Sequence, residues 1–120
     1  MLNLDTHILL HALHGRLDEH ERRTLTDHAD WGLSAIVLWE IEMLHRRQRI
    51  PHGLAHPALT ELISRVRIWP ISIEVCLTLR MLDFQSDPAD ELIAATSLAH
   101  NIPLLTRDTR IRSSKLIRCL

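Results

Sequence analysis

Short apolar runs alternate with capped helical stretches along this chain, and that alternation restricts the fold more than any other feature. "MLNL" (1–4) reads as a buried strand, and "THILLHAL" (6–13) as a helix that Gly15 stops. Asp18 and Glu21 have the spacing of a capping box, which opens a second helix over 18–29. "GLS" (32–34) is a short strand, and Ser34 caps a long helix to Arg47. Pro57 begins a helix to Arg65, "RIWPIS" (67–72) is a strand, and a helix spans Ile73 to Leu82. Asp87 as N-cap and Pro88 at the first helical position start a helix that runs to His100. "PLLT" (103–106) is the next strand, a single helical turn follows, and "KLIRC" (115–119) is a last short strand. Strands separated by helices pair in parallel, because only a crossover returns the chain to the same end of a sheet. Helices then cover both faces. The expectation is one domain over residues 1–120, a three-layer α/β/α sandwich around a mostly parallel sheet.

Composition removes several alternatives. With 46% apolar residues and few glycines or prolines, the chain is not disordered. No apolar run approaches the ~18 residues of a membrane span, and the start lacks the basic stretch of a signal peptide. Cys76 and Cys119 lie far apart with no C-x-x-C, which points to reduced thiols in a cytoplasmic protein. Neither G-x-G-x-x-G nor G-x-x-x-x-G-K-[ST] occurs, which argues against a nucleotide cofactor. A hydrolase elbow, G-x-S-x-G, is missing too. A phosphoryl-transfer receiver would want paired acids after the first strand and a late lysine, but only Asp5 and a poorly placed Lys115 are present. His7, His11 and His14 share one helix face, yet with no H-E-x-x-H and no cysteine partners they read as structural or surface residues. The net charge of -1 says nothing about a polyanionic partner. Residues 107–118 carry five basic groups against one acid, and "HRRQR" (45–49) is a second basic knot; most such clusters are solvated faces.

The acids hold more information. Sites in open parallel sheets form at the carboxyl ends of strands, near the point where strand order reverses. Asp5 directly follows the first strand, and Asp108 nearly directly follows the fourth. In "SAIVLWEIEMLHRR", Glu40 lies one turn from Ile36, Val37, Met43 and Leu44, on the apolar stripe, where periodicity alone allows equally a core-facing carboxylate and a helix-boundary acid that reaches outward. Glu42 is one turn from Arg46 in an exposed ion pair. Helix capping accounts for Asp87 and, on local grounds, for Asp90; Glu91 reads as a first-turn surface charge. Asp5 and Asp108 could each be a cap. Jointly, Asp5, Glu40, Asp90 and Asp108 come from four segments whose ends can meet at one sheet edge. Gathered carboxylates repel unless a cation neutralises them, and oxygen-only ligands suit a hard ion such as Mg2+ or Mn2+.

"LDTHILLHAL" at the start, "SAIVLWEIEML" in the middle and "DPADELIAATSLAHNIPLLTRDTRI" near the end resemble the PIN-domain ribonucleases, in particular bacterial toxins of the VapC type. The resemblance covers nearly the whole chain in the expected order. It implies a Mg2+- or Mn2+-dependent endoribonuclease, the toxin of a toxin–antitoxin pair. The family's acidic quartet, holding one or two ions, falls on Asp5, Glu40, Asp90 and Asp108. Thr106, in the family's T-x-D, would support the site, with Thr6 as a weaker support. A homodimer and a small antitoxin whose helix fills an apolar groove are implied as well. Arg107, Arg110 and Arg112 are the candidate contacts to an RNA backbone. Two departures stand out: Glu91 replaces a basic residue frequent after "DPAD", and only "SS" precedes the last strand. With aromatics at 3% and no tyrosine, base stacking offers little readout, so specificity would rest on RNA shape or a few polar contacts. The competing expectations are a catalytically silent binding module on the same fold and a DNA-directed or structure-specific nuclease.

Overall fold

A computed structural model describes residues 1–120. Its four strands are β1 (Leu2–Leu4), β2 (Trp31–Ser34), β3 (Arg67–Trp69) and β4 (Leu104–Leu105), in the order β3-β2-β1-β4. Every pairing is parallel, so the sheet is fully rather than mostly so. The chain steps outward from β1 to β2 to β3 and then crosses back to lay β4 on the other side of β1. Strand order therefore reverses between β1 and β4, where a parallel sheet opens a crevice. Helices flank the sheet as the alternation requires: α1 (Thr6–Leu13), α2 (Glu19–Asp27), α3 (Ala35–Arg46), α4 (Pro57–Ser64), α5 (Ile73–Thr78), α6 (Pro88–His100) and the short α7 (Thr109–Arg112).

Local chemistry sets most of these boundaries. Asp18 and Glu21 close a complete capping box on α2. The Ser34 hydroxyl accepts from the Ile36 N–H at the start of α3. Past α1 and α6 the chain turns through left-handed backbone at Gly15 (φ 65°) and Asn101 (φ 53°). Leu2, Leu4, Leu33, Leu104 and Leu105 from the strands meet Ile8, Val37, Ile41, Ile93 and Ile111 from the helices in a buried cluster of 16 residues. Gly32 lets β2 pass under Trp69, since a Cβ there would lie 2.3 Å from the indole ring.

Two expectations need correction. The third strand stops at Trp69 rather than residue 72, because Pro70 has no N–H to continue the ladder. Residues 115–119 form no strand; one bridge, Leu104 to Cys119, is all that pairs. The start of this segment is anchored instead by Asp83, whose carboxylate accepts from the Ser114 hydroxyl (2.5 Å) and the Lys115 N–H (2.8 Å).

Candidate active site

Asp5 leaves the end of β1 as the N-cap of α1, and only 2% of it is exposed. One carboxylate oxygen, Oδ1, accepts from the Thr6 N–H at 2.7 Å, and Oδ2 accepts from the Thr106 hydroxyl at 2.5 Å. The Thr106 oxygen in turn accepts from the Asp108 N–H at 3.0 Å. This small chain of bonds ties the carboxyl ends of β1 and β4 together at the reversal point. Burial raises the Asp5 pKa; the Thr106 bond and the nearby His7 oppose that rise, and the charge of Asp108 adds to it. Asp108 caps α7 through Oδ1, which accepts from the Arg110 and Ile111 N–H groups.

Asp90 sits in the first turn of α6, where Oδ2 accepts from the Ser86 hydroxyl at 3.0 Å. Its pKa is pushed up to about 6, chiefly by burial and against the lowering bond from Ser86; the charges of Asp5, Asp108 and Glu40 push it further. Acids from β1, α3 and the β4 end thus converge electrostatically on one carboxyl of α6. The helix is held to β1 by Asn3, fully buried, whose Nδ2 donates to the Ile93 carbonyl (3.1 Å) and the Ser97 hydroxyl (3.0 Å). Sequence reasoning passed over Asn3, although a lone amide inside "MLNL" was the available signal. On α3, Glu40 carries a buried Oε1 with no hydrogen-bond partner, and the Thr6 hydroxyl is buried without one as well. A buried oxygen of this kind costs stability unless something satisfies it. No three His, Cys, Asp or Glu side chains stand close enough to ligate one ion.

A family model for the PIN domain matches residues 3–115. The chain belongs to the PIN-domain family. Ribonuclease VapC22 of Mycobacterium tuberculosis is 38% identical to this PIN domain over 95 residues, covering 74% of the chain and 72% of that protein. Solved structures of similar fold include VapBC2 of Rickettsia felis bound to a promoter DNA fragment, with TM-score 0.77 and 20% identity over 100% of this chain and 98% of that one. FitAcB of Neisseria gonorrhoeae superposes with TM-score 0.71 and 22% identity, over 100% and 96% of the two chains. At such identities the structures speak for the fold.

Other charged residues of this PIN domain behave differently from expectation. Asp87 occupies the N-cap position of α6 but makes no capping hydrogen bond. Glu91, expected as free surface charge, accepts from the Ser86 N–H at 3.2 Å and so tethers the helix start. Glu42 is exposed, as its periodicity predicts, but it accepts from the Leu54 N–H at 3.0 Å and forms no ion pair with Arg46. The loop that follows α3 offers a backbone donor, which a side-chain pattern cannot reveal. Of the three arginines, Arg107 grips Glu21 with two bonds of 2.6 Å and also donates to the Arg16 carbonyl. Arg112 donates to the carbonyls of Thr106 and Leu120. Only a long 3.4 Å contact to the Gln85 carbonyl engages the side chain of Arg110. The basic run 107–118 is thus partly internal structure.

Proposed function

We propose that this PIN domain is a Mg2+- or Mn2+-dependent endoribonuclease and the toxin of a toxin–antitoxin pair. The observation that carries the reading is the set of four carboxylates, from four segments, whose charges converge on Asp90 while Glu40 keeps a buried oxygen unpaired. The kinship with a protein named a ribonuclease supports RNA as substrate, and PIN nucleases are generally metal-dependent. The donors fit a hard cation: all are oxygens, and the orphaned Glu40 atom lacks any other partner. Asp5, Asp90 and Asp108 would be primary ligands for one or two ions, with Glu40 ligating directly or through water. A bound ion would lower the pKa of a coordinated water and offset the charge that builds on the scissile phosphate.

The chain's own residues prepare that site. Thr106 fixes the rotamer of Asp5 and, through the Asp108 N–H, the loop that carries Asp108. Each Asp5 oxygen accepts one bond, Oδ1 from the Thr6 N–H and Oδ2 from the Thr106 hydroxyl, and retains a further lone pair for a ligand. Ser86 holds Asp90 in place, and Thr6 offers a second unpartnered oxygen beside Asp5. Because ligation requires the carboxylate, metal binding tightens as pH rises through the Asp90 value of about 6.

The partners follow from the same reading. The VapBC2 and FitAcB structures share this fold over nearly their whole length, as does a toxin–antitoxin complex from Klebsiella pneumoniae, with TM-score 0.70 and 19% identity over 94% of this chain and 91% of that one. An antitoxin protein is accordingly the expected partner. Ile73, Leu77 and Met81 are 81%, 50% and 61% exposed in one stripe along α5 and the turn after it, a surface suited to a second copy in a homodimer. Both cysteines are free thiols and no helix is long and apolar enough to cross a membrane, features compatible with the cytoplasm.

The test uses two glutamates that a helix turns ~200° apart. Glu40→Gln should reduce Mn2+-dependent cleavage of mixed-sequence single-stranded RNA beyond the ~100-fold that loss of a ligand's supporting partner can cost. Glu42→Gln should leave it nearly intact. Equal activity of the two folded variants would remove Glu40 from the site, and a folded parent that cleaves no RNA with Mn2+ would hand the case to the catalytically silent module.

A further inference from the structure

Given an endoribonuclease, the strand must be delivered to a cluster of acids that repels it. A net charge of -1 provides no general attraction, so the neutralising groups have to be local. Of the C-terminal arginines, Arg107 is neutralised by Glu21 and Arg112 is tied to two carbonyls, which leaves Arg110 as the one free guanidinium next to Asp108.

An open groove of about 360 Å3 runs between α1 and the segment that follows α3. His7, His11, His14, Arg16 and Arg49 line it, together with Leu10, Ile50 and Pro51, and no acid does. The three imidazoles follow the axis of α1, and residues 7 to 14 advance ~10 Å along a helix. The near end lies beside the acidic site, because His7 lines the groove in the first turn of α1, two residues past its N-cap Asp5. At the far end the His14 ring faces His52 at 6.4 Å, and His52 faces His56 at 4.0 Å, so a run of flat rings continues past the groove. Arg16 and Arg49 are exposed and belong to none of the chain's ion pairs.

We infer that this groove carries the phosphate backbone of single-stranded RNA to the acidic site, with Arg16 and Arg49 as its principal phosphate contacts. The inference rests on the endoribonuclease reading above. Arginine forks match phosphate oxygens, while the imidazoles offer N–H donors and ring faces to the same strand. Continuity with the acids selects RNA over an acidic protein segment, because only a phosphodiester strand has a scissile bond to present to ions that the carboxylates would hold.

The experiment measures binding of a labelled mixed-sequence single-stranded RNA by fluorescence anisotropy, in EDTA, over a range of KCl concentrations. Removing two phosphate contacts in Arg16→Gln/Arg49→Gln should flatten the slope of log K against log salt by ~1.4, at ~0.7 per contact. The control, Arg22→Gln/Arg23→Gln, alters two exposed arginines of α2 that pair with Glu19 and should keep the parent slope. With Mn2+ present, the groove variant should show a raised KM and an unchanged kcat. An unmoved slope in the groove variant, while the parent binds and cleaves RNA, overturns the groove and leaves the nuclease reading standing. An oligo-aspartate peptide that loses affinity in the groove variant when RNA does not would overturn it in favour of a protein ligand. A parent protein that neither binds nor cleaves RNA with Mn2+ would instead bring down the nuclease reading, and the groove with it.

Discussion

α2 and α6 begin with nearly the same acidic grammar, "DEHE" (18–21) and "DPADE" (87–91), yet their acids finish in opposite electrostatic states. At α2 the capping box closes and Glu21 is clamped by Arg107, which holds its pKa below the usual carboxylate range. At α6 no arginine arrives. Asp90 is half-buried and receives a single hydroxyl; burial, reinforced by the charges of Asp5, Asp108 and Glu40, pushes its pKa up to about 6. Free N–H groups at a helix start favour negative charge in both places. What separates them is the side chain delivered from elsewhere in the fold. A discharged acid builds structure, whereas an undischarged one is available to a cation.

The largest effect expected from this contrast is metal stabilisation. Mn2+ at a hundredfold excess over its Kd should add ~2.7 kcal/mol to the native state, if the unfolded chain does not bind it. Thermal melts with Mn2+ and with EDTA should therefore separate clearly for the parent and for Glu21→Gln, and much less for Asp90→Asn. The same shift in both variants would erase the distinction between the two helix starts.

Next comes the clamp itself. Glu21→Gln should destabilise the metal-free protein by about 1–2 kcal/mol at neutral pH, a figure reduced because the Arg107 side chain is 41% exposed. Because folding depresses the Glu21 pKa, its contribution is present above the ordinary value of 4.5 and fades as pH falls through the lowered one. The deficit of the variant should shrink in acid. Arg107 lies between Thr106 and Asp108, so cleavage should also drop, by roughly tenfold, as befits a supporting partner. A constant deficit across pH would show that the pair is not what stabilises this corner.

The smallest effect runs the other way. Folding raises the Asp90 pKa from an ordinary 3.8 to about 6, so the native state is favoured at low pH and loses that advantage as pH climbs through this window. In EDTA, Asp90→Asn should match the parent near pH 4 and become more stable by about 1 kcal/mol at pH 7, allowing for solvent around a half-buried group. Asp87→Asn, at a position with no capping bond, should show no such pH dependence. Melting curves of the three proteins at several pH values decide it, and a parallel response of Asp87→Asn and Asp90→Asn would break the comparison.

Much of this molecule was legible in its residues because the relevant forces are local. Strand–helix alternation, the capping box of Asp18 and Glu21, Pro88 at the head of α6 and the stop after His100 depend on neighbours within a turn or two, and all appear in the fold. Parallel pairing followed from chain connectivity alone. The candidate acids were also readable, through strand ends for Asp5 and Asp108 and helical periodicity for Glu40. Tertiary structure decided which charges meet. Thr106 reaches Asp5 across 101 residues, Arg107 reaches Glu21 across 86, and Asn3 reaches Ser97 across 94. The Thr106 and Arg107 pairings need β4 to lie against β1 rather than beside β3, the Asn3 pairing needs α6 to lie against β1, and no local propensity encodes those choices. The same long-range placement left Arg107 and Arg112 bound within the chain, Asp90 without a cation and Glu40 with an unpaired oxygen. A carboxylate's chemistry depends on the charges and dipoles within a few ångströms of it, and in this protein most of those come from distant parts of the sequence.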